Sequence, residues 1–317
     1  MTDFIDLSIV IPAYNEERFI KDTLSCLVSE LEGLLGYEVI VVDHGSTDNT
    51  ALIAEESGAT VVNGSMRKTV GELRNLGVEQ SKGRLLVFID ADICVQHGWG
   101  IQMKQLFKEL SNSYSLVSGS FPILPDGAAA WLINWFEPKG LEKITRYIGS
   151  GHLVISRSLF DEIGGFDPGL ETSEDVDLCR RAIDLGANLR PEKKLRVCHA
   201  GAPTGLVSFI RREAWHGRGD VTSVRSFFSS RAPLTALVFM TLHFAVLLFL
   251  FTESAYAQYP AYILFILILF STVYKFHGSN ILVFFFNFFT FYFYLFGRSI
   301  GLIRGLISRD KMKRSRA

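Results

Sequence analysis

The chain has 317 residues, 48% of them hydrophobic, enough for one large domain or two ordinary ones and too apolar for a wholly disordered protein. Its net charge of -1 averages two unlike parts: residues 1–231 carry 24 basic and 31 acidic side chains, whereas residues 232–317 carry 8 and 2. The four cysteines (Cys26, Cys94, Cys179, Cys198) lack Cys-x-x-Cys spacing, so neither a zinc ribbon nor a dithiol redox motif is supported and reduced, packed thiols are expected.

Met1–Asp6 holds two acids and no Lys or Arg, and the apolar run behind it stops at Pro12, so no secretory signal is read and a cytosolic N-terminal domain is expected. Leu7–Ile11, Glu38–Val42, Ala59–Val62 and Leu85–Ile89 read as buried strands. Glu16–Leu31, Thr47–Ser57 and Thr69–Gln80 read as the helices between them, the second capped near Ser46-Thr47-Asp48. This alternation predicts a parallel α/β sheet, which binds ligands beyond the carboxyl ends of its strands. Those ends carry Pro12-Ala13-Tyr14-Asn15-Glu16, Asp43-His44-Gly45-Ser46 and Asp90-Ala91-Asp92, which a shared site explains better than loop composition.

Beyond residue 115 the pattern turns irregular. Ser115–Gly119 and Gly151–Ser156 read as strands, with a Trp-rich stretch at Trp131–Trp135 between them. A helix starting near Ser173 carries Glu174, Asp175 and Asp177 in its first turn, where the dipole favours negative charge.

Residues 204–231 form a basic connector (Arg211, Arg212, Arg218, Arg225, Arg231) with aromatic residues interleaved, as in a helix lying on an anionic leaflet. Residues 232–297 follow with 15 of the chain's 26 Phe and only Glu253 and Lys275 charged, a density that calls for lipid. Three apolar stretches run over 234–252, 257–274 and 281–297. The tail from Arg298 to Arg316 has seven basic residues and one acid, so it and the N-terminal domain both belong on the cytosolic side, which requires an even number of crossings. Two spans are therefore expected, near 234–252 and 257–274, the third stretch over 281–297 being interfacial, re-entrant or spanning. The chain divides as 1–203 α/β domain, 204–231 connector, 232–307 membrane region and 308–317 tail, a multi-pass plasma-membrane protein.

Asp90-Ala91-Asp92 follows directly on a buried strand, and hard cations such as Mg or Mn are commonly shared between one or two carboxylates and a diphosphate; a solvated turn is the plain alternative. Asp43 closes the second strand and can accept hydrogen bonds from a base or ribose, or cap the next helix. No Gly-x-Gly-x-x-Gly follows the first strand, which disfavours a dinucleotide site.

The strings SIVIPAYNEERFI, VIVVDHGSTDNT, LRNLGVEQSKGRLLVFIDAD and SRSLFDEIGGFDPGLETSEDVDLCRRA, in this order and spacing, resemble the family 2 glycosyltransferases of GT-A fold over about residues 5–200. The resemblance implies a Rossmann-like, mixed but mostly parallel sheet. It also implies inverting, metal-dependent transfer from a nucleotide-sugar. Residue by residue, it makes Pro12, Ala13, Tyr14 and Glu16 the loop facing the nucleotide, Asp43 the partner of the base, and Arg74 the basic residue near nucleotide and diphosphate. Asp90, Ala91 and Asp92 match the segment holding ribose and metal, and His199 matches a histidine completing the metal site. Asp175 is implied as the base, with Glu174 positioning the acceptor.

Two departures stand out. His44 occupies a place where the family usually has a second acid. The Gln-x-x-Arg-Trp motif of processive synthases is absent, and Arg211–Gly219 resembles the basic segment of single-addition members. The expected activity is transfer of one sugar to a hydroxyl of a membrane-associated or lipid-linked acceptor in envelope glycan or glycolipid synthesis, with membrane lipids and no nucleic acid as partners. A polyprenyl-phosphate sugar synthase and a non-catalytic nucleotide-binding scaffold are the alternatives.

Overall fold

A computed structural model of the chain describes residues 5–112, 116–120, 122–136, 147–221, 227–228, 231–252, 255–276 and 281–314. The chain forms two compact units, Met1–Pro125 with Glu142–Ala202, and Asp126–Leu141 with Pro203–Ala317. Ser115, Arg225 and the last three residues of the basic tail lie outside the described residues.

In the first unit the strands are β1 (Leu7–Ala13), β2 (Tyr37–Asp43), β3 (Thr60–Asn63), β4 (Leu85–Ile89), β5 (Ile93–Val95), β6 (Leu116–Gly119), β7 (His152–Ser156), β8 (Asn188–Pro191) and β9 (Val197–His199). Its helices are α1 (Ile20–Leu31), α2 (Thr50–Glu56), α3 (Val70–Glu79), α4 (Trp99–Asn112), α6 (Arg157–Ile163) and α7 (Glu174–Asp184). The sheet order is β3-β2-β1-β4-β7-β6-β8. β3, β2, β1 and β4 pair in parallel, β7 runs antiparallel to both β4 and β6, and β8 pairs parallel with β6. This is the mixed, mostly parallel α/β domain expected.

Side-chain alternation along β1 builds a core on each face. Leu7, Ile9 and Ile11 pack with Ile20, Leu24, Leu27 and Leu31 of α1 and with Trp99 and Met103 of α4. Val10 joins Ile40, Val42 and Phe88 beneath Leu73 and Val78 of α3 and Leu178 of α7. The α1 residues recur at i, i+4, i+7 and i+11, one stripe of a helix. Gly77 lets α3 approach the sheet closely, since a Cβ there would collide with Val10.

Two elements differ from expectation. The first helix starts at Ile20 rather than Glu16, because residues 15–17 are held by the neighbouring loop. A small antiparallel pair, β5 with β9, lies outside the main sheet and brings Cys94 opposite Cys198; strands this short carry too little pattern to be read locally. The expectation of reduced thiols is also overturned for one pair: Cys26 of α1 and Cys94 of β5 form a disulfide. Sequence spacing alone could not reveal it, because 68 positions separate the two and only the packing of α1 against β5 joins them.

The second unit is helical: α5 (Ala130–Phe136), α8 (Leu206–Gly219), α9 (Ala232–Phe251), α10 (Gln258–Phe276) and α11 (Ile281–Arg314). Within the basic connector Leu206–Gly219 forms α8, which packs along α11 with Gly217 against Arg298 and Gly301, leaving no room for a side chain. Ala232–Phe251, Gln258–Phe276 and Ile281–Ile307 are each long and apolar enough to cross a membrane. The third stretch, for which the sequence leaves interfacial, re-entrant and spanning forms open, is one uninterrupted helix.

Candidate active site

Three segments at the carboxyl ends of β1, β2 and β4 meet at one edge of the sheet. β1 ends at Pro12 and Ala13, and Asn15 takes the left-handed conformation (φ 57°), an accessible one for Asn. The backbone N–H groups of Asn15 and Glu16 donate to Ser46 Oγ (2.9 Å) and Thr50 Oγ1 (2.7 Å), and Asn15 Oδ1 accepts from the Thr47 N–H (2.8 Å). Asp43 Oδ2 accepts from the N–H groups of Gly45 (3.0 Å) and Ser46 (3.1 Å), so this carboxylate shapes its own turn while keeping further acceptor capacity. Tyr14 is exposed and meets His44 edge-on, ring centroids 5.7 Å apart, and His44 Nε2 lies 2.7 Å from the Arg67 carbonyl oxygen. The pair makes an aromatic wall beside Asp43.

The Asp90-Ala91-Asp92 segment is fixed from beneath. Thr23 of α1, fully buried, donates its hydroxyl to the Ala91 carbonyl (2.8 Å), and the Cys26–Cys94 disulfide ties the same helix to the strand that follows. Asp92 Oδ2 lies 3.0 Å from His199 Nε2, brought across by the β5–β9 pair. Gly201 gives the Asp92 carboxylate room to pack, since a Cβ there would run into it. Glu16 faces the same place: its carboxyl is pushed up to about 7, first by burial, then by Asp92, Asp90 and Asp48, with His199 opposing. Crowded carboxylates with one imidazole suit a divalent cation, whose charge would relieve this repulsion.

Among the described residues no three acids, cysteines or histidines converge as a closed cage. Of the expected set, Asp92 and His199 stand as a pair, and Asp90 gives one carboxylate oxygen, Oδ1, to Arg74. Such a pair leaves coordination positions for a diphosphate and water, the usual habit of Mg and Mn sites.

Arg74, expected near the diphosphate, is held by two carboxylates. Its side chain is buried, with Nη2 donating to Asp90 Oδ1 (2.7 Å) and Nη1 to Glu174 Oε1 (2.9 Å), while its carbon Cζ lies 5.6 Å from the Phe166 ring centroid. Both carboxylates raise its pKa against the opposing effect of burial, the largest influence. α3 holds this arginine firmly, because Thr69 and Glu72 form a reciprocal capping box at its start. Glu174 also accepts from Ser150 Oγ (2.9 Å), so its interactions are internal and it shapes the site from behind.

Asp175 is the more available carboxylate. The Ser150 N–H reaches its Oδ2 (3.4 Å) and the Val176 N–H its Oδ1 (2.8 Å). Burial and the neighbouring Glu174 charge push it up to about 6, against the backbone N–H bonds and Arg74. A carboxylate poised there can take a proton near neutral pH. Asp177 pairs with Arg180 (2.6 Å) and Arg181 (2.7 Å) on its own helix. It is thereby part of the scaffold.

The structure thus gathers Glu16, Arg74, Asp90, Asp92, His199, Glu174 and Asp175 into one constellation. Sequence reasoning missed Thr23, Gly201 and the turn Gly149-Ser150-Gly151. Ser150 holds both Glu174 and Asp175, and the Gly151 carbonyl accepts from the Asp90 N–H (3.2 Å). The small residues in the string YIGSGHLVIS mark a close backbone approach, the one signal that could have found this turn.

Residues 8–164 match the family model described as Glycosyl transferase family 2. Glycosyltransferase AglE of Haloferax volcanii is 27% identical over 226 residues, covering 68% of this chain and 73% of that protein. Pre-mycofactocin glycosyltransferase of Mycobacterium tuberculosis is 29% identical over 224 residues, 67% of this chain and 46% of that protein. In fold, the chain is similar to the mannosyltransferase PcManGT from Pyrobaculum calidifontis, solved with GDP-Man and Mn2+, with TM-score 0.59 and 16% identity over 95% of this chain and 88% of that one. The fold is also similar to Staphylococcus aureus TarS 1-349 in complex with UDP-GlcNAc (TM-score 0.51, 20% identity, 74% and 75% covered).

Proposed function

Residues 8–164 are a family 2 glycosyltransferase domain, and from that premise we propose that this chain transfers a single sugar, with inversion, from a nucleotide-sugar to a membrane-associated or lipid-linked acceptor hydroxyl. One observation carries the reading: Asp175, a carboxylate raised to about 6, is joined through Ser150, Glu174 and Arg74 to Asp90 at the donor edge. Acceptor base and donor site are one hydrogen-bonded assembly.

The nucleoside end of the donor lies along Tyr14, His44 and Asp43, where an aromatic wall stacks a base and a carboxylate accepts its N–H or ribose O–H groups. Asp90 and the backbone of Ala91 adjoin the ribose and first phosphate. A divalent cation of the Mg or Mn type, held by Asp92 and His199, would supply Lewis-acid neutralisation of the departing diphosphate. Asp175 takes the proton of the acceptor hydroxyl as that oxygen attacks the anomeric carbon and the bond to the diphosphate oxygen breaks on the opposite face, so configuration inverts. Arg74 and Glu174 are positioning residues: their ion pair keeps Asp90 and Asp175 in a fixed relation, and Ser150 orients Glu174 and Asp175.

The three apolar helices support a membrane-bound enzyme, and the basic helix before them supports a catalytic domain on the cytosolic face with an acceptor presented by the bilayer. The test is nucleoside diphosphate release by the full-length chain across a panel of nucleotide-sugars with Mg or Mn, with and without lipid extract. Release with one donor, stimulated by lipid extract and lost in Asp175→Asn, is the expected result. Absence of release with every donor overturns the reading.

A further inference from the structure

Three of the four cysteines stand together beside the donor edge. Cys94 of β5 is bonded to Cys26 of α1, their Cα atoms 5.8 Å apart, and stands opposite Cys198 of β9 in the antiparallel register of that strand pair. Backbone hydrogen bonds frame the Cys94–Cys198 rung: the Ala200 N–H donates to the Asp92 carbonyl (2.8 Å) and the Gln96 N–H to the Arg196 carbonyl (2.9 Å). Hydrogen-bonded rungs recur at every second residue of an antiparallel ladder, so this rung is one of them, with Cα atoms about 5.5 Å apart. Directly opposite side chains leave the same face, and disulfides span Cα separations of about 4.4–6.8 Å. Cys94 therefore has two partners within bridging reach, one on a helix and one on a strand.

The neighbours of the three differ from those of the fourth cysteine. Ile93, Val95 and Val197 turn into the core, which leaves Cys94 and Cys198 on the more open side of the strand pair, and Cys26 is likewise half-buried. Cys179 is buried in α7, the Ile148 N–H reaches its Sγ (3.3 Å), and burial pushes its thiol up to about 11. Such a thiol is inert toward exchange.

Each partner would fasten β5 to a different neighbour. Bonded to Cys26, β5 is tied to α1, whose Thr23 also holds the Ala91 carbonyl (2.8 Å). Bonded to Cys198, it would be tied to β9 beside His199, whose Nε2 lies 3.0 Å from Asp92. The two bonds share one sulfur and exclude each other. In the cytosolic placement proposed above, disulfides are rare and those that form are usually transient.

We propose that Cys26, Cys94 and Cys198 form a thiol–disulfide exchange site, in which Cys94 passes its bond from Cys26 to Cys198 and so releases α1 from the donor edge. The step balances within the chain. The Cys26–Cys94 bond breaks as Cys94–Cys198 forms, and the proton of the Cys198 thiol ends on Cys26. One disulfide is exchanged for another, and no outside oxidant or reductant is consumed.

The test maps disulfides by mass spectrometry in the full-length chain in detergent, equilibrated in glutathione buffers, quenched in acid and alkylated. Wild type should hold Cys26–Cys94 together with Cys94–Cys198 at ~1% of it or more, the level of an ordinary minor state. Cys26→Ser should hold Cys94–Cys198, Cys198→Ser should keep Cys26–Cys94, Cys94→Ser should hold neither, and Cys179→Ser should match wild type. Thermal melting of each variant identifies any loss of fold, and the wild-type measurement needs no substitution. A wild type without Cys94–Cys198 at that level in every buffer overturns the exchange. So does alkylation of both Cys94 and Cys198 in folded Cys26→Ser, in a buffer that keeps the wild-type bridge. A Cys26–Cys198 bond in Cys94→Ser overturns Cys94 as the shared sulfur. Amide hydrogen exchange over Ile20–Leu31 should be at least ~10-fold faster in Cys26→Ser than in Cys198→Ser, and equal protection overturns the release of α1.

Discussion

Asp90 and Glu174, at the ends of a central strand and a distant helix, are held by one guanidinium: Arg74 donates to the first at 2.7 Å and to the second at 2.9 Å. With Arg74 and Glu174 both buried, removing the arginine strands a charge, at a cost of about 3–5 kcal/mol for a buried pair. Arg74→Ala should therefore melt well below wild type, and Arg74→Lys should recover only part of the loss because an ammonium does not span both carboxylates. A melting temperature for Arg74→Ala equal to wild type would refute this bridging role.

Asp175 sets the expected pH dependence. Its carboxylate form accepts the proton, so turnover should rise through about pH 6 and level off above it. Asp175→Asn should lose ~10²–10⁴-fold in kcat, together with that rising limb. Stability runs the other way: a folded-state value above the ordinary 3.8 means that the folded chain holds this proton longer, so its contribution is fully present below 3.8 and lost as pH rises through 6. Asp175→Asn should accordingly gain in melting temperature over wild type at pH 8 and not at pH 3.5. Retained turnover in that variant would remove Asp175 from the chemistry.

Asp92 and His199 are expected to set metal demand. Asp92→Asn and His199→Ala should raise the Mn concentration for half-maximal rate by ~10–100-fold, with Gly201→Ala acting in the same direction through its collision with Asp92. A full rate in excess chelator would contradict the assignment.

The Cys26–Cys94 bridge closes a segment of 68 positions, for which chain-entropy arguments give about 4 kcal/mol. Thiol titration of the unreduced, denatured chain should count two thiols, and reduction should lower its melting temperature. Four titrating thiols before reduction would show that the bridge is absent in the protein as isolated.

The sequence by itself determined the parallel half of the sheet, the three strand ends that carry the site and the apolar C-terminal helices. Each rests on local signals: continuous β-branched runs such as Glu38–Val42, polar residues directly behind them, and Phe-dense stretches nearly free of charge. Contacts across long separations were decided by the tertiary structure alone. Arg74 reads as a cation near phosphate until folding places it between Asp90 and Glu174; Ser150 draws no reading at all until the turn before β7 brings it to Glu174; Cys26 and Cys94 read as separate thiols until α1 lies against β5. Pattern and composition record what a residue prefers to be near, water, lipid or core. Which partner satisfies a buried charge or a backbone N–H depends on distances set only when segments a hundred residues apart are packed together.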